Sequence, residues 1–204
     1  MVAKLCSDGL KKVTLELGGN CPFLIFDDAD LNQAADGKSL WQMYQPVANP
    51  YLALMALKWR HAGQACITAN RVYVQSGVYD KFAELFKEKT AKLVVGHGAE
   101  KGTTMGPVTT PRSLDRALNQ VDDAKKHGGQ IVLGGGKVVG KSGYFFEPTI
   151  ILGAKKEMLI TQEETFAPIL ALYSFDTEDE AVEAANNTSV SKSTHISESP
   201  NLLT

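Results

Sequence analysis

Apolar and polar residues alternate through Val13-Thr14-Leu15-Glu16-Leu17 up to Gly18-Gly19, a period of two that predicts a strand ending in a turn. A second, wholly apolar strand is expected at 22–26, before Asp27-Asp28. Asp30 can cap a helix from Leu31, but the stretch 41–51, with Pro46 and Pro50, keeps no period and interrupts it. Helical spacing returns over 53–61, and Arg71-Val72-Tyr73-Val74 predicts a strand after the turn at Gly63-Gln64-Ala65-Cys66. Val78, Phe82, Leu85, Phe86 and Leu93 share one helical face, and Leu114, Ala117, Leu118, Val121 and Ala124 share another. Further strands are expected at 131–133, 144–146, 149–152 and 169–175. Strands alternating with helices predict an α/β fold, a mostly parallel sheet flanked by helices.

Composition narrows the class. The 204 residues are 44% apolar and 22% charged with a formal charge of −2, which excludes a disordered chain and a coiled coil. The lysines are scattered rather than striped, so neither DNA nor RNA is an expected partner. No apolar run approaches the roughly 18 residues of a membrane span, and Lys4 and Asp8 interrupt any signal-peptide core. A soluble intracellular protein, cytoplasmic or mitochondrial, is the expectation. From Thr188 the chain is rich in Ser and Thr without periodicity, as a loosely attached or disordered tail would be.

Three cysteines, Cys6, Cys21 and Cys66, have neither the number nor the spacing of a disulfide framework or a zinc site. Cys66 follows a turn that could open a helix, where backbone N–H groups activate a thiol and cradle an oxyanion. A buried structural cysteine is the other reading. Glu16 stands inside an apolar strand beside a Gly-Gly turn, as a general base in a cleft or as a solvent-facing strand residue. A cysteine nucleophile with a glutamate base suits acyl transfer. The run from Gly135 to Ser142 also fits the spacing of a phosphate-binding loop. That loop must enter a helix, whereas Tyr144-Phe145-Phe146-Glu147-Pro148 reads as strand and helix breaker, so an NTPase is disfavoured.

Leu15-Glu16-Leu17-Gly18-Gly19-Asn20, Phe26-Asp27-Asp28-Ala29-Asp30-Leu31, Gly63-Gln64-Ala65-Cys66, Met105-Gly106-Pro107, Phe146-Glu147-Pro148-Thr149 and Glu163-Glu164-Thr165-Phe166-Ala167-Pro168 resemble, in order, signatures of the aldehyde dehydrogenase superfamily. The resemblance implies that Cys66 attacks an aldehyde, that hydride passes to NAD or NADP, and that Glu16 activates water against the thioester. Glu164, Phe166 and Gly18 stand where it implies cofactor contacts. Arg60, six residues before Cys66, resembles the arginine by which the succinate-semialdehyde dehydrogenase branch holds a distal carboxylate, and a guanidinium fork suits that group. Val94-Val95-Gly96-His97-Gly98 is also similar to that branch. The implied substrate is succinate semialdehyde, an intermediate of 4-aminobutyrate degradation.

The resemblance also frames the departures. It covers 1–189 as part of a catalytic domain, leaving 190–204 as a tail outside the family. The Rossmann-like dinucleotide domain, with most of the cofactor site, would precede the chain. The strands used for homo-oligomerisation would follow it, and an unpaired sheet edge is expected. Such a piece is expected to be inactive alone. His61 stands where the family has Asn, and Ala167 replaces the Gly of a Phe-Gly-Pro turn, a mild change unless φ there is positive. Between Glu16 and Cys66 the chain exceeds the family spacing by about sixteen residues, located at 38–53. Codons for Gly37-Lys38-Ser39 and Leu52-Ala53 can encode the two ends of an intron. A genuine insertion exposing Trp41, Met43, Tyr44 and Tyr51 would instead form an apolar surface for a partner.

Overall fold

A computed structural model describes residues 2–31, 35, 54–188 and 195–197. The stretch 38–53 therefore lies outside the described residues, as do 189–194 and 198–204. A short helix α1 (Val2–Ser7) leads through an irregular, exposed segment to strand β1 (Cys21–Ile25). Helix α2 (Leu54–Trp59) and a 3-10 turn (Arg60–Gly63) precede β2 (Ala69–Gln75). There follow α3 (Tyr79–Thr90), α4 (Pro111–Lys126), β3 (Gln130–Leu133) and β4 (Thr149–Leu152). The described chain closes with α5 (Leu159–Gln162), β5 (Ile169–Phe175), α6 (Glu178–Asn186) and β6 (His195–Ser197).

The six strands form one sheet in the order β3-β4-β5-β2-β1-β6. Only the β3–β4 pair is antiparallel. The expected mostly parallel sheet with flanking helices is thus the observed one. β1, β2 and β5 are buried almost throughout, because a parallel strand is covered on both faces. Pro22 cannot donate to a ladder, and the register of β1 on β2 shifts between Cys21 and Pro22 where the proline enters.

The helices follow from local chemistry. Thr110 caps α4 by accepting the Ser113 N–H at 3.1 Å, Pro111 opens the helix, and Leu114, Ala117, Gln120, Val121 and Ala124 form its buried face. Gly128, at φ 87°, follows its end. Thr177 caps α6, whose first turn carries Glu178, Asp179 and Glu180. On α3, Phe82 and Phe86 are fully buried, and Trp59 stacks on Phe86 at 5.9 Å.

Three local expectations are corrected. Residues 13–17 form no strand: β1 is already flanked by β2 and β6, and Val13, Leu15 and Leu17 are exposed. Tyr144 to Phe146 is not a strand but one arm of a glycine-bent loop, bridged to Lys137 only at Phe146. In the segment expected to be a loose tail, His195–Ser197 pairs parallel with β1, Phe23 opposite His195. This ladder extends the sheet past β1, so that β3 and β6 are its outer strands among the described residues. Among the described residues no helix is long and apolar enough to cross a membrane.

Candidate active site

Three chain segments meet at the end of the sheet where β1, β2 and β5 begin: residues 16–21, the loop 60–68 and the run 163–167. The loop has the most unusual backbone. His61 (φ 53°) and Ala62 (φ 51°) both adopt the left-handed conformation ahead of Gly63 (φ 70°). Gly63 is required there, since a Cβ would stand 2.3 Å from the Ala167 carbonyl oxygen. The Gln64 side chain holds the loop from the other side. Its Nε2 donates to His61 O at 2.9 Å and Pro107 O at 3.3 Å, and its Oε1 accepts the Thr109 N–H at 2.9 Å.

Cys66 is half-buried in a turn closed by the Thr68 N–H on Ala65 O at 3.0 Å. The chain then enters β2, so the expected helix N-terminus at Cys66 is not present, and the backbone N–H groups around Cys66 are those of a turn. Arg60 is exposed on the same loop. Cys21, fully buried at the start of β1, donates its thiol to Cys66 O at 3.5 Å.

Glu16 is exposed in the irregular segment before β1. Two residues on, Gly18 and Gly19 receive Glu164: its Oε1 accepts the Gly19 N–H at 3.2 Å, and a Cβ on Gly18 would lie 2.6 Å from its Oε2. Gly18 is therefore the space into which that carboxylate fits. Phe166 is 40% exposed at φ 47°, a strained conformation for an aromatic residue, and strain of this kind gathers at ligand sites. The positive φ lies at Phe166 and not at Ala167, so alanine in place of glycine at 167 carries no backbone strain.

The motifs assign no role to the residues that bind these segments together. Asn20, buried, donates through Nδ2 to the carbonyls of Ile160, Thr161 and Glu163, which ties the Gly18-Gly19 turn to the end of α5. Arg71, also fully buried, donates to Asn20 O, Tyr73 Oη and the Ala184 and Ala185 carbonyls. The C-terminal carbonyls of α6 thus carry much of the partnering of its charge. Beneath the loop, the fully buried Lys58 amine donates to Asn70 Oδ1 at 2.8 Å, and burial pushes it down to about 7. A lysine in Leu54–Trp59 and an arginine inside β2 were the available signals. The phosphate-loop reading fails on geometry. After Gly134, Gly135 and Gly140, all at positive φ, Lys141 pairs with Glu100 at 3.2 Å in a loop, with no helix behind it.

Known proteins share this fold and are similar in sequence. The aldehyde dehydrogenase family model matches residues 1–199, past the boundary expected at 189. Succinate-semialdehyde dehydrogenase [NADP(+)] 1 of Schizosaccharomyces pombe is 46% identical over 191 residues, covering 93% of this chain and 35% of that protein. Glutarate-semialdehyde dehydrogenase of Pseudomonas putida is 42% identical, covering 90% and 34%. The crystal structure of succinate-semialdehyde dehydrogenase from Burkholderia pseudomallei superposes with a TM-score of 0.85 at 36% identity, covering 97% of this chain and 38% of that one. The chain spans about a third of the length of the curated relatives it matches. With its site motifs, its sheet and this similarity all in agreement, the chain belongs to the aldehyde dehydrogenase family.

Proposed function

We propose that this chain carries the catalytic thiol of an NAD(P)+-dependent aldehyde dehydrogenase acting on succinate semialdehyde, as part of a longer enzyme. The observation that carries the reading is the meeting of three segments, tied by Gly19 to Glu164, Cys21 to Cys66 and Gly63 to Ala167. The Cys66 thiol loses its proton to solvent, and the thiolate adds to the aldehyde carbon to give a thiohemiacetal oxyanion. Turn N–H groups are available to the oxyanion. NAD(P)+, when bound, is the hydride acceptor that takes the thiohemiacetal to a thioester. Glu16 then accepts a proton from the water that attacks the thioester carbonyl, and the acid and the Cys66 thiolate are released.

The residues present fit that cofactor. The close approach of Glu164 to Gly18, with the exposed Phe166 beside it, gives a fixed carboxylate and an apolar platform, so Glu164, Gly18 and Phe166 would hold it. Arg60, exposed on the Cys66 loop, would fork onto the distal carboxylate. The semialdehyde substrates named for the relatives carry such a carboxylate. Hydrolysis of an activated ester, p-nitrophenyl acetate, tests the thiol without cofactor. Turnover is expected to vanish in Cys66→Ala and to slow in Glu16→Gln. Ester hydrolysis equal to the parent in Cys66→Ala would refute the assignment.

A further inference from the structure

The structure carries a buried cation that the mechanism does not use. Lys58 is fully buried in the last turn of α2, and Asn70, 2% exposed, sits early in β2. The two residues flank the loop 60–68 on either side, and their bond at 2.8 Å closes its base. The amine lies where the loop meets the cofactor-side run. A Cβ on Gly63 would come 2.3 Å from Ala167 O and 3.4 Å from Lys58 Nζ. Helix end, strand start and loop thus meet at one nitrogen, with Gly63 packed between it and the 163–167 run. Burial lowers its pKa to about 7, with no charged partner contributing, so the amine is held there against a large desolvation cost. An apolar side chain would fill the space without that cost but could not bond Asn70.

We propose that Lys58 is the positioning residue of the Cys66 loop: bonded to Asn70, it closes the loop base and seats Gly63 against Ala167, holding Cys66 in register with the Glu164 run. The proposal rests on the reading of Cys66 as nucleophile, and it acts through the loop rather than by touching substrate.

The test is the rate of Cys66 alkylation by iodoacetamide in the full chain, read by peptide mass spectrometry with Cys6 as internal reference. Alkylation reports loop geometry and needs neither cofactor nor aldehyde. A failed ester assay therefore tells against the nucleophile reading, while the alkylation rates separately test whether Lys58 and Asn70 hold the loop. Lys58→Met and Asn70→Leu are each expected to speed Cys66 alkylation about fivefold, the factor given by the net ~1 kcal/mol of one buried hydrogen bond. The double variant is expected to be no faster than either single, and Asn70→Asp, which keeps the acceptor, to stay within about twofold of the parent. Unchanged rates in both single variants, or a double variant accelerated by the product of the two, overturn the proposal. If the apolar variants lose their folded circular dichroism, Asn70→Asp decides. A parent-like Cys66 rate upholds the clamp, and a change of about fivefold or more overturns it.

Discussion

Replacing Lys58 with methionine should stabilise the chain at neutral pH, and the gain should fade as the pH rises. The amine titrates near 7 in the folded state against 10.5 for an ordinary lysine, a gap worth about 5 kcal/mol at 1.36 kcal/mol per pH unit. The sign follows from proton counting. Between about 7 and 10.5 the unfolded chain binds a proton at Lys58 that the folded chain does not, so stability rises with pH across that window. Below about 7 the cost is fully present. Methionine removes that cost but strands Asn70 Oδ1, a buried acceptor whose loss of a partner costs roughly 1–3 kcal/mol. Lys58→Met is therefore expected to be more stable by roughly 2 kcal/mol at pH 7, with the advantage shrinking by about 1.4 kcal/mol per pH unit and reversing between about pH 8 and pH 9. Urea unfolding followed by far-ultraviolet circular dichroism, at pH 7, 8, 9 and 10, measures both chains, and other titrating groups cancel in the difference. Two stability curves running parallel across that range would refute the reasoning. The combination with the alkylation experiment is informative, because the same variant should gain global stability while its Cys66 loop loosens.

Other expectations rest on single contacts. Gly18→Ala places a methyl 2.6 Å from Glu164 Oε2 and displaces the carboxylate from the Gly19 N–H, costing about 1 kcal/mol in urea unfolding. Added to Glu164→Ala, where no carboxylate remains to displace, Gly18→Ala should cost much less. His61→Gly relieves a left-handed residue that is exposed, and is expected to raise stability by about 0.5–1 kcal/mol, seen as a higher Tm. Arg71→Met leaves the Ala185 carbonyl and Asn20 O without the guanidinium donor, while Ala184 O keeps the Tyr73 hydroxyl, and a loss of about 3–5 kcal/mol is expected by the same denaturation. For the stretch 38–53, reverse transcription of the message across the codons for Asp36 to Leu54 should return a shorter product if that stretch is intron. A single product retaining all of them would make it a true insertion.

Where an apolar run is sharply bounded or a helical face is buried, the sequence reading and the structure coincide. β4 and β5 begin and end where 149–152 and 169–175 were expected, because their apolar runs are bounded by proline or glycine on one side and acid or glycine on the other. α4 was legible from its apolar face, with one exception: Gln120 lies on that face, fully buried. The alternation at 13–17 misled for a physical reason. Period two describes which side chains can share a face, whereas a strand exists only where a neighbouring backbone accepts its ladder, and β1 has already given both edges to β2 and β6. The turn before Cys66 misled similarly, since left-handed residues at 61 and 62 turn the chain toward β2 instead of starting a helix.

The same distinction explains what could be read of the site. Cys66, Gly18 and Glu164 stand in motifs, and the close packing of a glycine against a carboxylate is the kind of constraint that fixes a residue type at a spacing. The buried cations carry no such mark. A lysine in Leu54–Trp59 reads as the solvent face of a helix, and an arginine in β2 reads as one polar position in a strand, until the sheet covers them both. Their partners are Asn70 across the base of the loop, and backbone carbonyls far along the chain at 184 and 185. Because those carbonyls are backbone groups, no residue type in the sequence reports the contact. Motifs therefore reveal the groups placed to meet a ligand, while the groups that hold them in place emerge only when the fold brings distant backbone and side chains together.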